Sequence, residues 1–249
     1  STRRSYCTSY IVMLGLGSGL AFSGVNNNSV LDTIAGLQVW LQNGVGVTAA
    51  KWNDSSGNGN HAVQTTEGDQ GAVEDGGIDF SGGNMDFTDK ITLGSFTVFI
   101  ALESDLPDDD GNSHSLIGNA DGSDFIRINQ SAANEFRSNR TGLGALIVSH
   151  STDFTHEGAG SGVERFVMMF RQEDDNTVDI GVNADIDSFA LSSSTGADME
   201  FEHLGSQNAG KQNPFNGTIY EVAIYNSNLS ASDATLVRED MASRAGITL

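Results

Sequence analysis

The stretch Trp52-Asn53-Asp54-Ser55-Ser56-Gly57-Asn58-Gly59-Asn60-His61-Ala62-Val63-Gln64 decides the fold. It starts at an apolar residue, passes through a polar, glycine-rich turn, and returns to an Ala/Val alternation that indicates a strand. Gly57 and Gly59 supply backbone angles with positive φ that larger residues avoid. The sequence therefore predicts a buried anchor, a tight ordered turn and the start of a strand, with the other strands arranged around this corner.

Many short strands separated by turn signals surround this corner. Residues 95–103 are β-branched and aromatic throughout, which is typical of a central buried strand. Residues 78–80 and 85–87 predict the two strands of a hairpin. Residues 230–233 have the form of a capping box, so a helix is expected from about residue 231 to 244, ending before Gly246. The whole pattern predicts an all-β, two-sheet sandwich with one short C-terminal helix.

The composition limits the classes of partner. The chain has 249 residues with 33 acidic and 12 basic side chains, a net charge of −21. Such a balance argues against a nucleic-acid-binding surface, which needs a basic face. Cys7 is the single cysteine, so no intramolecular disulfide framework can form.

The N-terminal residues 1–30 form an apolar segment behind two arginines. Basic residues before an apolar stretch resemble a secretory signal peptide, but retention of the segment favours an assembly arm. The stretch is too short and too rich in glycine for a transmembrane helix, which needs about 20 apolar residues. We expect the arm to dock on other virion proteins or on copies of this chain. Its contact residues are predicted to be Tyr10, Ile11, Val12, Met13, Leu14, Leu16, Leu20 and Phe22.

Five motifs carry a resemblance to a known family: residues 37–41, 52–64, 78–80, 96–99 and 215–230. Their order and spacing resemble the laminin-G/concanavalin A-like jelly-roll domains of the lectin/glucanase superfamily. The likeness covers residues 35–249, so residues 31–249 are predicted to form one jelly-roll domain. The fold serves lectins, enzymes, adhesion modules and virion proteins, so it does not specify a function.

The resemblance implies a structural Ca²⁺ in a rim loop and carbohydrate on a concave face. Carried over to this sequence, the calcium ligands would be Asp54, Asn58 and Asn60, whose oxygens suit Ca²⁺. The alternative is that these three side chains only close the turn by hydrogen bonds to the backbone. No other cofactor is expected.

The glucanases of this superfamily use closely spaced carboxylates on one strand, as E-x-D-x-E. The nearest match is Asp198-Met199-Glu200-Phe201-Glu202, where alternate residues share a face. Its first position is Asp, no tryptophan is nearby to hold a sugar, and neither a G-x-S-x-G elbow nor an H-E-x-x-H motif is present. We therefore expect a protein that is not an enzyme, with a glycoside hydrolase or lyase as the least favoured alternative.

Two functions follow from these observations. The first is a structural or decorating protein of a tailed-bacteriophage virion, which displays a lectin-like domain and is anchored by its arm. The second is a secreted or cell-surface carbohydrate-binding module with a glycan as partner. For that role the sequence offers few aromatic platforms, because Trp40 and Trp52 are expected in the core; Tyr225 could stack on a sugar.

Overall fold

The fold was determined as a computed structural model, which describes residues 29–104, 113–128, 134–152, 165–172, 177–191 and 196–249. The apolar arm residues Tyr10 to Phe22 lie outside the described residues, as does most of the arm. The division of the chain at residue 30 therefore stays a prediction.

The chain contains seventeen strands and two α-helices among these residues. In chain order they are α1 (Val30–Thr33), β1 (Leu37–Leu41), β2 (Val47–Thr48), β3 (Lys51–Trp52), β4 (Ala62–Val63), β5 (Ala72–Glu74), β6 (Gly77–Asp79), β7 (Met85–Leu93), β8 (Phe96–Ser104), β9 (His114–Gly118), β10 (Phe125–Ile128), β11 (Glu135–Arg140), β12 (Gly144–Ser149), β13 (Phe166–Gln172), β14 (Thr177–Val182), β15 (Asp185–Ala190), β16 (Met199–Leu204), β17 (Gly217–Tyr225) and α2 (Ala231–Ala245). A short 3₁₀ turn, Glu67–Asp69, precedes β5.

The strands form two sheets. Sheet A has eight strands in the order β15-β14-β13-β8-β17-β6-β5, with β1 also paired to β17. Sheet B has nine strands in the order β12-β11-β10-β9-β16-β7-β4-β3-β2. The predicted all-β, two-sheet sandwich with one short C-terminal helix is confirmed.

The main core lies between the inner faces of the two sheets. On β8, the side chains of Val98 and Ile100 point into this core, while those of Phe99 and Ala101 contribute to a second core on the outer face of sheet A. Because β8 is buried on both faces, its sequence is apolar without alternation, as expected for a central strand.

Helix α2 covers that outer face of sheet A. The Ser230 hydroxyl accepts a hydrogen bond from the backbone N–H of Asp233, and Gly246 ends the helix with φ of 68°. Both ends therefore match the prediction from the capping pattern. Near the C-terminal end, Arg244 donates hydrogen bonds to the fully buried carboxylate of Glu221, which fastens the helix to β17.

The predicted hairpin of residues 78–80 and 85–87 is wrong. Strand β6 belongs to sheet A and pairs with β17 and β5, whereas β7 belongs to sheet B and pairs with β16 and β4. The connecting turn contains Ser81 and Gly82, both with positive φ. This turn passes the chain from one sheet to the other.

Among the residues that the structure describes, neither helix is long and apolar enough to span a membrane.

Candidate functional site

The anchoring turn, residues 53–60, lies along the outer edge of β1. The Asp54 carboxylate accepts hydrogen bonds from the backbone N–H groups of Trp40 at 2.8 Å and Asn60 at 3.0 Å. The side-chain amides of Asn58 and Asn60 donate to the Gln38 carbonyl at 3.2 and 2.9 Å. The turn therefore takes the place of a neighbouring strand and satisfies backbone groups that an edge strand would otherwise leave open.

These contacts agree with the hydrogen-bonding alternative for Asp54, Asn58 and Asn60. Within the described ranges, no three His, Cys, Asp or Glu side chains are grouped so that they could hold a metal ion. Two of the three predicted ligands are asparagines, which are not among these residue types, so a calcium ion at this turn stays a prediction.

The aromatic residues considered for sugar stacking are buried. Trp40 is 3% exposed and its Nε1–H donates to Glu221, while Trp52 is 0% exposed and donates to the Gln42 carbonyl. Both are core residues, as expected. The suggestion that Tyr225 stacks on a sugar is wrong, because its side chain is 0% exposed under helix α2.

The outer face of sheet B carries a polar cleft of about 380 Å³, here named the carboxylate cleft. It is lined by Thr92, Asp121, Ser123, Asp124, Thr141, Ala197, Asp198 and Glu200. Four parts of the chain contribute: β7, the β9–β10 turn, the end of β11, and the start of β16. Along β16 the residues that alternate with Glu200, namely Met199 and Phe201, point into the core, which places Glu200 on the outer face.

Asp124 forms the floor of the carboxylate cleft and is 1% exposed. One of its oxygens accepts the backbone N–H of Thr141 at 2.7 Å and the Thr141 hydroxyl at 2.8 Å. The other accepts the backbone N–H of Glu200 at 2.8 Å. A buried carboxylate needs such partners, so Asp124 holds three chain segments together and sets the shape of the cleft.

The walls of the cleft present carboxylates to solvent. The side chain of Asp198 is 60% exposed, and that of Glu200 is 33% exposed with one oxygen 2.7 Å from the Lys90 ammonium. The hydrogen bond from Lys90 to Glu200 raises the pKa of Lys90, which is therefore a cation at neutral pH. An ion pair this exposed contributes little to stability and leaves both side chains free to exchange partners.

Asp121 and Ser123 form the rim contributed by the β9–β10 turn. The backbone N–H of Ser123 donates to the Asp121 carboxylate at 2.8 Å. Hydrogen bonds from Ser123 lower the pKa of Asp121, which is therefore an anion at neutral pH. The rim thus presents the Asp121 carboxylate at the cleft, while the Ser123 hydroxyl accepts hydrogen bonds from the Asn119 amide at 3.2 Å and the Thr141 hydroxyl at 3.0 Å.

Comparison with known proteins gives likenesses of structure. No protein-family model matches the chain, and no curated protein matches it. Trypanosoma rangeli sialidase superposes with a TM-score of 0.58 at 12% identity, over 87% of this chain and 34% of that chain. The binding domain of Paraclostridial Mosquitocidal Protein 1 superposes with a TM-score of 0.57 at 17% identity, over 81% of this chain and 51% of that chain. A structure of botulinum neurotoxin type C, a toxin whose cell entry depends on interaction with two ganglioside molecules, superposes with a TM-score of 0.54 at 13% identity. The match covers 83% of this chain and 51% of that chain.

At these sequence identities the three superpositions show a shared fold. The chain spans about a third of the length of the sialidase and about half of the length of the two toxin chains. They agree with the two-sheet β-sandwich that the sequence motifs predicted.

The same comparison corrects one expectation. The absence of a recognisable catalytic motif led us to predict a protein that is not an enzyme, and the occurrence of this sandwich in sialidases contradicts that prediction. A chain with this fold can be part of an enzyme, and missing motifs are no ground for excluding catalysis.

Sequence reasoning found part of the carboxylate cleft. Asp198 and Glu200, considered as acids on one strand face, do line it, whereas the Glu202 carboxylate accepts the backbone N–H of Ala120 at 2.8 Å. The contributions of the β9–β10 turn and of Thr141 were missed. The sequence of the turn, N-A-D-G-S-D at residues 119–124, predicts a turn but no site. Only the pairing of β9 with β16 brings these residues next to Glu200.

Proposed function

We propose that this chain is a carbohydrate-binding β-sandwich whose ligand occupies the carboxylate cleft. The observation that carries the proposal is the cleft itself, an open space whose floor is fixed by Asp124 and whose walls present carboxylates. Sugar hydroxyls are donors as well as acceptors, and hydrogen bonds to a carboxylate are about twice as strong as neutral ones. The toxin domains with this fold, one of them dependent on gangliosides, support a glycan as ligand.

The charge of the cleft favours uncharged or amino sugars. Asp121, Asp198 and Glu200 are acidic and line the cleft, Lys90 is already paired with Glu200, and the Arg140 guanidinium lies 4.0 Å from the Asp198 carboxylate. On the same face of sheet B, Arg127 is 5% exposed and its guanidinium lies 3.9 Å from the Phe125 ring centre. A sialic-acid carboxylate would meet mainly negative charge, which costs free energy at such short range.

Binding is tested with the full chain on a glycan array that includes neutral, amino and sialylated sugars. We expect retention on neutral or amino glycans and a loss of about tenfold or more in affinity for Asp198→Ala and for Glu200→Ala. Glu67→Ala is the matched control, because Glu67 is an exposed acid on the 3₁₀ turn outside the cleft. Retention that is equal in all four proteins, or absent in the wild type, contradicts the proposal.

Glycoside hydrolysis is the second candidate function. Asp198, the residue before β16, and Glu200 on β16 line the same cleft, and side chains two residues apart in an extended chain lie roughly 7 Å apart, within the range of inverting glycosidases. Hydrolysis is measured as the release of reducing sugar from a glycan that the chain binds on the array. Turnover that Glu200→Gln abolishes while binding persists would assign the cleft to catalysis.

Display of the domain on a virion rests on the sequence alone. In this proposed role, the arm binds to the virion and the sandwich is displayed on its surface. Ser29 donates to the Asp240 carboxylate at 2.7 Å and Leu31 is fully buried, so the clean truncation removes residues 1–28 and not 1–30. The truncated protein should fold and fail to join its assembly; normal incorporation contradicts this role.

A further inference from the structure

Residues 205–216 join β16 to β17 and pass beside the rim of the carboxylate cleft. Gln207 in this loop is buried, and its backbone N–H donates to the Gln212 carbonyl at 3.0 Å within the same loop. Its main chain packs directly on Gly118 at the end of β9, where an added Cβ would overlap the Gln207 carbonyl. Gln207 is therefore fixed next to the β9–β10 turn, although it is not among the residues that line the cleft.

The side-chain amide of Gln207 has one orientation. Its oxygen accepts hydrogen bonds from the Arg127 guanidinium and from the Asn213 side-chain amide, the latter at 2.7 Å. Its nitrogen donates to the Gly122 carbonyl at 2.6 Å. Because a guanidinium can only donate and a backbone carbonyl can only accept, exchanging the amide oxygen and nitrogen would oppose both contacts. Gln207 therefore meets the cleft rim as a donor.

The Gly122 carbonyl belongs to the same peptide unit as the backbone N–H of Ser123. That N–H donates to the Asp121 carboxylate at 2.8 Å. In a planar trans peptide the C=O and N–H point in opposite directions, so a hydrogen bond that fixes the carbonyl also fixes the direction of the N–H. Gln207 thus holds one side of this peptide, and the other side holds the carboxylate that faces the cleft.

We propose that Gln207 is a positioning residue, which holds the Asp121 carboxylate where it meets a glycan in the carboxylate cleft. This inference rests on the function proposed above, because the cleft is the site at which Asp121 acts. Two consecutive hydrogen bonds through one peptide polarise each other in the same direction, which strengthens the second bond. Loss of the donor at Gln207 should therefore release Asp121 without removing any atom from the cleft.

Gln207→Glu removes only this donor, because glutamate has nearly the same shape as glutamine. One carboxylate oxygen would still accept from Arg127 and Asn213, whereas the other would lie opposite the Gly122 carbonyl, where two acceptors repel. Burial lowers the pKa of Arg127 to about 10, so its guanidinium is still a cation at neutral pH and can neutralise the new carboxylate. The variant should therefore keep its fold while the rim peptide turns away.

Binding of oligomers of glucosamine and of glucose to the full chain, followed by titration calorimetry, tests the proposal. Gln207→Glu should raise the Kd about tenfold, the value of one hydrogen bond to a charged group. In an Asp121→Ala background the same change should raise it less than about twofold, because the carboxylate that Gln207 positions is already absent. Lys211→Gln is the matched control, since it lies in the same loop, changes the net charge equally, and removes an ion pair with Asp69 outside the cleft.

Amide exchange separates positioning from general loss of structure. The Ser123 amide should exchange faster in Gln207→Glu than in Lys211→Gln, while the Thr141 amide on the cleft floor and the midpoint of thermal unfolding stay near the wild-type values. Gln207→Met, which also lacks the donor, is the second variant if Gln207→Glu does not fold. An equal loss of affinity with and without Asp121, or a Kd equal to that of Lys211→Gln, overturns this inference alone. A wild type that binds neither oligomer overturns it together with the proposed function.

Discussion

Replacing Asp54 with alanine should destabilise the sandwich far more than its position in a surface turn suggests. The carboxylate accepts backbone N–H groups from Trp40 at 2.8 Å, Ser56 at 2.9 Å and Asn60 at 3.0 Å. One of these donors belongs to β1, fourteen residues away, so the substitution opens the edge of a core strand as well as the turn. A hydrogen bond to a charged group contributes about 1.5–3 kcal/mol, and water replaces part of it in this half-buried turn. Three bonds at the lower limit would contribute about 4.5 kcal/mol, and because water replaces part of this we expect a loss of about 3–4 kcal/mol.

Urea denaturation followed by tryptophan fluorescence measures this loss. Asp79→Ala is the matched control, because the Asp79 carboxylate, at the end of β6, accepts among the described residues only from the backbone N–H and hydroxyl of the nearby Ser81. The control should cost less than about 1 kcal/mol. Similar costs for Asp54→Ala and Asp79→Ala would refute the idea that the turn replaces a strand. Stabilisation of the wild type by Ca²⁺, absent in Asp54→Ala, would instead favour the calcium prediction.

Three further changes test how the rest of the sandwich is held together. Glu221→Ala leaves the Arg244 guanidinium without its buried partner, and loss of one member of such a pair should lower the free energy of unfolding by about 3–5 kcal/mol in urea titrations. The backbone N–H of Ser151 donates to the Asp187 carboxylate and lowers its pKa in the folded state. Ionised Asp187 therefore stabilises the folded state at pH values above its unfolded pKa. The difference in free energy of unfolding between wild type and Asp187→Asn should shrink as the pH falls below about 4. Ser230→Ala removes the N-cap of α2 and should cost about 1 kcal/mol, measured as a lower midpoint of thermal unfolding.

The fold could be predicted from the sequence because its strongest signals are local. The apolar β8 strand, the capped α2 helix and the glycine-rich turn each depend on residues that are neighbours in the chain. The hairpin prediction failed for the same reason. A turn with Ser81 and Gly82 looks alike whether it returns the chain to the same sheet or transfers it to the other one, and only the distant partner β17 decides between them.

The carboxylate cleft could not be assembled from the sequence. It joins Thr92 on β7 to residues 121–124, Thr141 and Glu200, which come together because β16 pairs with both β7 and β9. Those pairings connect strands that are far apart in the chain, and no local pattern encodes them. Sequence spacing recovered only Asp198 and Glu200, which are separated by one residue at the start of β16.

Acidic residues serve two opposite purposes in this chain, and their surroundings distinguish the two. Asp54 and Asp124 are each surrounded by backbone N–H donors, so their charge is used within the fold. Asp198 is mostly exposed, and Glu200 holds only a lysine that solvent can replace. A carboxylate whose hydrogen-bonding capacity is filled by the backbone has little left for a ligand, whereas one that faces solvent over a fixed floor has most of it available. The number of backbone donors around each acid, which composition cannot give, is therefore the physical ground for proposing a ligand site at Asp198 and Glu200 and not at the anchoring turn.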